Sequence, residues 1–469
     1  MRFIVQVRIE PDSNDGLEPT VVDIAVVDRA ELTLSTLGLS IAETKSILAG
    51  VQDSVVTEQC AVALAQAACC DGCGRRFAHK DQRRLVVRTL YGTIPIASPR
   101  WWTCPCASGR RSSFTPLARI LPDRSTPELV LVQGKLAAHV SFAETVRLLD
   151  ELLPVGRRLH ASEPRRHVAA IAERIDQALG SEEQCFIERE PGRDLPRPEM
   201  PLVVTIDGGY VHSSAQTSRR DGWFQAVCGT VTKADGQVRR FGFVPNIDTR
   251  PRRRIHDTLI AQGMQPNQLV TFLSDGAVDL AGWTDLMAPT AEYILDWFHI
   301  AMRFTVLANT MKGLSRNPAP DPDCDCDCDD IDCDDIDPAE VFDEMHQDLA
   351  SAKWHVWHGN HHRAEQLLCH LSFAIGGCAD SAARGKAERF LDELRVYLRR
   401  NGHLIPSYNE RRLAGEPISS ATAEATVNSV IAKRMVKKQQ MRWTPTGAHR
   451  LIQVRTRTLD GTLEQALAA

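Results

Sequence analysis

Apolar residues recur along the chain in three rhythms, and each predicts its own kind of element. Phe3, Val5, Val7 and Ile9 alternate with other residues, and a second β-rich run covers Val21 to Val27, so the N-terminus predicts two strands of a small hairpin. From Ser40 to about Ala68 the spacing becomes helical. Further on, short unbroken apolar runs take over. Leu202-Val203-Val204-Thr205-Ile206, four of them β-branched, follows Met200-Pro201 and stops at Asp207-Gly208-Gly209, which predicts a buried strand rather than a helix. Strands are also predicted over 224–231 and 238–244, joined across Ala234-Asp235-Gly236, and then a helix over about 252–262. Leu269 to Ser274 repeats the first pattern and again ends in Asp275-Gly276. A short helix over 280–287 and a strand over 291–295 complete the set.

Three strands, a helix, a strand, a helix and a strand is the order of a ribonuclease-H-like sheet. In such a sheet the first and fourth strands lie side by side in parallel, so Asp207 and Asp275 are expected to end next to each other at one edge. Each Asp-Gly pair by itself reads as a turn. Two carboxylates on stiff neighbouring strands are also how a site for a hard divalent cation is built.

The fold expected is α/β, with seven segments. They are an N-terminal hairpin and helix (1–68), a zinc ribbon (69–115), a helical DNA-binding region (116–187), a linker with four prolines in 188–201, the first part of a ribonuclease-H-like core (202–303), an all-α insertion (304–415) and the last part of the core with a basic C-terminal region (416–469). The ribbon rests on Cys70-x-x-Cys73 and Cys104-x-Cys106 around a β-rich segment, a set of four thiolates suited to the closed shell of a structural zinc ion. Cys69 is left as the spare. Arg75, Arg76, Arg83, Arg84, Arg88, Arg100, Arg110 and Arg111 around it fit contact with a DNA backbone. Helices are predicted from Thr126-Pro127, over 141–152 and from Ser162 through Arg174; with Arg165, Arg166 and His167 at the start of the last, they read equally as a helix-turn-helix or as a plain bundle.

Charge changes the picture more than composition does. The formal net charge is -5, yet residues 321–337 hold ten aspartates and no base, so the rest of the chain carries +5. This run, inside an acidic Asp/Cys loop at 321–338, reads as a self-repelling loop between the insertion's helices. From Lys433 to Arg457 there are eight basic residues and no acid, which points to a polyanionic partner such as nucleic acid. No apolar run reaches the roughly 20 residues that span a bilayer, and the N-terminus has no apolar core with a cleavage site, so a cytoplasmic protein with reduced cysteines and no membrane partner is expected. His355, His358, His361 and His362, in a Trp-rich stretch, read as packing or surface residues before they read as a metal site.

Asp207-Gly-Gly, Phe272-Leu-Ser-Asp275-Gly-Ala, Leu295-Asp-Trp-Phe-His-Ile-Ala-Met-Arg303 and the closing 419–443 segment resemble the core of a DDE transposase of bacterial insertion sequences, of the Kra-type family in the Mutator-like branch. The resemblance covers roughly residues 60 to 460. It implies that Asp207, Asp275 and Glu424 are the catalytic acids, with Glu416 a rival for the third place. It further implies two Mg²⁺ ions, replaceable by Mn²⁺, cleavage at the terminal inverted repeats of double-stranded DNA, joining to target DNA, and a homodimer or higher assembly when two ends are paired. Asp296 and His299 resemble the acid-x-x-His signature that follows the second acid, and Asn428 shares a helical face with Glu424. Lys433, Arg434, Lys437, Lys438 and Arg442 would grip phosphates, and Trp443 would stack on an unpaired base. Two other readings stay open: a catalytically silent zinc-ribbon regulator that only binds DNA, and a ribonuclease-H-like nuclease that cuts without joining.

Overall fold

The computed structural model describes the chain except for residues 11–17, 107–111, 157–158, 188–194, 196–197, 199–200, 216–221, 277–281, 289, 316–337, 420–424, 436–440 and 469. Glu424, Lys437, Lys438, the aspartate-rich run and most of the expected linker therefore lie outside the described residues. The protein is mixed α/β and divides into two compact units, Met1–Ile175 with Gly461–Ala469, and Asp176–Asp460.

The first unit begins with the expected hairpin, β1 (Arg2–Ile9) and β2 (Thr20–Asp28), paired antiparallel. Helix α1 (Ile41–Gln66) follows, and Ser40 caps it in a capping box with Glu43. Next come β3 (His79–Thr89), β4 (Gly92–Trp102) and the short β5 (Ser113–Phe114) in an antiparallel sheet. Leu85, Val87, Ile94 and Ile96 point to one side and share a small core with Cys60 of α1 and Leu117 of α2 (Pro116–Ile120). Helices α3 (Pro127–His139), α4 (Phe142–Leu152) and α5 (Ser162–Ala178) appear where the sequence places them.

The second unit holds a five-stranded mixed sheet of β6 (Leu202–His212), β7 (Trp223–Thr232), β8 (Val238–Phe243), β9 (Leu269–Ser274) and β10 (Thr290–Leu295), in spatial order β10-β9-β6-β7-β8. β6, β7 and β8 form an antiparallel meander, while β9 runs parallel to β6 and β10 parallel to β9. Ile255 and Leu259 of α6 (Pro251–Ala261) cover the face carrying Val204, Ile206, Phe241 and Phe243. The face carrying Gly242 meets a late helix instead: a Cβ at Gly242 would lie 2.7 Å from Ile452.

Helix α7 (Trp297–Met311) leaves β10, and Asp296 caps its start. The insertion follows as α8 (Pro338–Trp357), α9 (His361–Gly376) and α10 (Ala382–Asn401), then the short α11 (Tyr408–Leu413). Ile300, Phe304, Leu307 and Met311 of α7 are buried in the same core as Leu349, Leu368, Leu391 and Tyr408. The expected boundary between residues 303 and 304 thus falls inside one helix, because the apolar stripe of α7 faces the insertion along its length. A π-helical turn, Val427–Ala432, precedes α12 (Pro445–Leu459). The last helix, α13 (Leu463–Ala468), belongs to the first unit, with Glu464 3.1 Å from Lys135. The segment expected to close the core at 469 therefore leaves it at Asp460. Among the described residues, no helix is long and apolar enough to cross a membrane.

Candidate functional site

Thr205 of β6 pairs with Leu273 of β9 in parallel register, so Asp207 and Asp275, each two residues further on, reach the same level, Asp275 just past the end of β9. The strand expected to stop at Asp207 does not: β6 runs on through Gly208 and Gly209 to His212, because its other edge stays paired with β7. Gly276 turns the chain away with φ +78, a conformation that suits glycine because it lacks a Cβ. Asp207 is half-buried and its Oδ1 accepts the Gly208 N–H at 2.6 Å. Burial raises the pKa of its carboxyl above the usual value, and the charges of Asp275 and Asp296 push the same way; the Gly208 N–H and His299 oppose them. Asp296 is fully buried: its carboxylate accepts the Phe298 N–H at 2.8 Å and lies 3.7 Å from Nε2 of His299.

The tips of these strands are fastened to the insertion. Tyr397 of α10 donates its hydroxyl to the Asp275 carbonyl at 2.9 Å, and Tyr408 of α11 donates to the Leu295 carbonyl at 2.7 Å. The Arg303 guanidinium stacks 4.2 Å from the Tyr397 ring. Neither tyrosine stood out in the sequence, although only five occur in the chain. On the Asp207 side, the π-helical turn covers the sheet. A Cβ at Gly209 would meet Val427 at 3.1 Å and Ile431 at 3.2 Å. Asn428, on that turn, is exposed.

Asp207 and Asp275 offer only oxygen donors, the kind a hard cation takes. Among the described residues, however, the two aspartates do not form a set of three ligand atoms within 4.8 Å of one another. The rival acid Glu416 is committed elsewhere: it lies 3.3 Å from Arg411, which also pairs with Glu292.

Four thiols do converge. The Sγ atoms of Cys70, Cys73, Cys104 and Cys106 all lie within 4.8 Å of one another, and the cluster could hold a structural metal such as zinc. The contacts Cys73–Cys104, Cys104–Cys106 and Cys70–Cys106 measure 3.3, 3.4 and 3.5 Å. Tetrahedral zinc–thiolate bonds put sulfurs about 3.8 Å apart, so the cluster has the right size. The Arg75 N–H, with help from Cys104, lowers the Cys73 thiol to about 7, whereas Cys104 and Cys70 push Cys106 up to about 12. Such crowding of sulfur is what a dication offsets. Cys69 is the exposed spare, tied to Arg76 by a backbone bridge. Phe77, stacked on Trp101 and edge-on to Phe114, packs beside the cluster's strands.

The expected DNA contacts divide. Arg165 and Arg166 are exposed on the first turns of α5, and Lys433 and Arg442 are exposed as well. Arg434 corrects the expectation: it is 3% exposed and stacks 5.0 Å from the Trp443 ring, so its charge is turned inward and cannot grip a phosphate. Burial lowers its guanidinium to about 10, with Arg455 adding to the effect. Trp443 is half-buried and its backbone continues the sheet beside Ser213, which favours packing over base stacking. His167, beside those arginines, turns inward to Gln133 at 2.6 Å, and burial pushes it down to about 4. His355 and His358 lie against Trp354, and among the described residues the insertion's histidines form no metal-binding group. No family model matches the chain, and no curated protein matches it.

Proposed function

We propose that the chain is a DDE transposase with a ribonuclease-H-like core, which cuts DNA at the ends of an insertion element and joins the freed end to target DNA. One observation carries the reading: Asp207 and Asp275 stand level on adjacent parallel strands, close enough for one to disfavour the charge of the other. The sheet order, a three-stranded meander with two parallel strands added on the side of the first, is the order that fold requires.

In this reading Asp207 and Asp275 hold a divalent cation, Mg²⁺ or Mn²⁺, and Glu424 completes the set. The cation supplies an acidified water or 3′-hydroxyl and neutralises the phosphate being attacked. The chain's own residues do the rest. The Gly208 N–H fixes one oxygen of Asp207. Asp296 orients His299, whose imidazole stands near enough to Asp207 to favour its ionised form. Exposed Arg165, Arg166, Lys433 and Arg442 meet phosphates, and the metal-holding cysteine cluster stiffens a small β module whose core alone is thin.

The test is a nicking and joining assay on DNA carrying the element's ends, with Mg²⁺ or Mn²⁺. Asp207→Asn, Asp275→Asn and Glu424→Gln should each abolish cutting and joining while DNA binding persists. The silent regulator is favoured by the exposed arginines and the thiol cluster, which need no acids. It predicts binding with no metal-dependent cut by the wild type. Cutting without joining would favour the plain nuclease.

A further inference from the structure

We propose that Tyr397 and Tyr408 are positioning residues: the all-α insertion uses these two phenols to pin the carboxyl ends of β9 and β10, and so sets where Asp275 and Asp296 stand. The inference rests on the reading of Asp207 and Asp275 as a cation site, and it assigns the insertion a part in building that site.

Parallel strands β9 and β10 end level, at the paired residues Ser274 and Leu295, and the Asp296 N–H donates to the Ser274 carbonyl at 2.8 Å. Beyond that bond the ladder stops. The next carbonyls, those of Asp275 and Leu295, receive their partners from outside the sheet, and both partners are tyrosine hydroxyls of the insertion. A carbonyl held this way fixes the peptide plane next to each aspartate, and the plane fixes the direction of the aspartate's Cα–Cβ bond. Asn401, one turn after Tyr397, adds a steric stop: its Oδ1 would lie 2.7 Å from a Cβ at Gly276, and its Nδ2 donates to the Tyr397 carbonyl at 2.9 Å. The tyrosines are themselves held. Tyr408 is fully buried and its ring lies against Trp297 and Trp357, while Arg303 stacks on Tyr397. Aromatic side chains reaching the strand tips from a separate helical layer give the large insertion that follows β10 a part in building the site.

Replacing Tyr397 with Phe removes one hydroxyl and leaves the ring, its stacking and the helix in place, and Tyr408→Phe does the same for β10. Full-length protein is titrated with Mn²⁺, and binding is read by electron paramagnetic resonance beside nicking of end-containing DNA and thermal melting. One hydrogen bond lost from a carboxylate's support should weaken Mn²⁺ binding by about 3- to 10-fold for Tyr397→Phe, and the cutting rate should recover at saturating metal. Tyr408→Phe should shift Mn²⁺ binding less, because Asp296 is a step removed from the cation. Unchanged Mn²⁺ binding in Tyr397→Phe, with a wild type that binds and cuts, overturns the inference alone. So does a loss that tracks a lowered melting temperature and persists at saturating metal, which marks a purely structural bond. A wild type that neither binds Mn²⁺ at Asp207 and Asp275 nor cuts overturns the reading of the function and this inference with it.

Discussion

Adding one methyl group at Gly276 tests the geometry of the second acid. The φ of +78 lies in the left-handed region, where a residue with a Cβ costs about 1–2 kcal/mol. The new Cβ would also meet Asn401 Oδ1 at 2.7 Å and Leu295 Cδ1 at 2.8 Å. The Leu295 methyl can move aside, but the Asn401 amide cannot swing away without giving up its bond to the Tyr397 carbonyl, a net loss of about 1 kcal/mol. Gly276→Ala should therefore cost about 2–3 kcal/mol, or about 4–12 °C of melting temperature in a large domain. Gly236, in the β7–β8 turn of the same unit, is the control: its φ is +84 and nothing lies within 4 Å of a Cβ there. Both substitutions stiffen the unfolded chain equally, so that contribution cancels in the comparison. Calorimetry on both variants, with Gly276→Ala/Asn401→Ala as a third, separates backbone strain from the clash. Compared with Asn401→Ala alone, which has already lost the amide's bond, the double variant should show only the backbone strain. If Gly276→Ala melts no lower than Gly236→Ala, the packing of Asn401 against the Asp275 turn is not the constraint described. Metal-dependent nicking should fall with Gly276→Ala and stay unchanged with Gly236→Ala, measured well below either melting temperature.

Asp207→Asn should raise thermal stability at pH 7 without divalent metal, while abolishing nicking. The folded carboxyl has its pKa raised, so its charge opposes folding above the ordinary value of 3.8; the advantage of Asn should appear as pH rises through the carboxylate range and vanish below it, as melting across pH will show. Chelation, or Cys104→Ser, should release a single equivalent of zinc measured by atomic absorption and expose residues 69–115 to protease, leaving the second unit's melting transition in place.

Much of this architecture is legible in local sequence because local chemistry decides it. β-branched runs ahead of Asp-Gly became β6, which continues past the pair to His212, and β9, and the helices expected from Ser40 and from Ser141 start there, each capped by its serine. The cysteine pairs were readable because a metal-holding shell demands those residues at those spacings. What escaped depends on contacts distant in sequence. The tyrosine bonds span 122 and 113 residues, and no periodicity in α10 or α11 reveals which carbonyl a phenol will find. Arg434 was misread for a different reason. In a run of bases every charge looks equally solvated, but the π-helical turn just ahead of it takes up an extra residue and rotates the following face. Lys433 is thereby left outside while Arg434 goes in beside Trp443.

That same turn bears on the third acid. Asp207, Cys228 and Gly209 share one face of the sheet: Asp207 is paired with Cys228 across β6 and β7, burial with the nearby charge of Asp207 pushes the Cys228 thiol up, and Gly209 is two residues beyond Asp207. Val427 and Ile431 pack on Gly209, so the segment that continues from residue 424 runs over the face that carries Asp207, not the opposite one. Glycine at 209 eases this approach, since a Cβ there would press on the Val427 and Ile431 side chains at 3.1 and 3.2 Å. Glu416 would have to abandon Arg411, a largely buried guanidinium that it shares with Glu292, and a buried cation stripped of a partner is costly. Asp296 has no exposed surface and already serves as a helix cap. Chain path, glycine spacing and the prior commitments of the competing acids therefore all favour Glu424 over either alternative. A Glu416→Gln variant that keeps full cutting beside an inactive Glu424→Gln is the expected pair of results, and the reverse pair would refute this assignment.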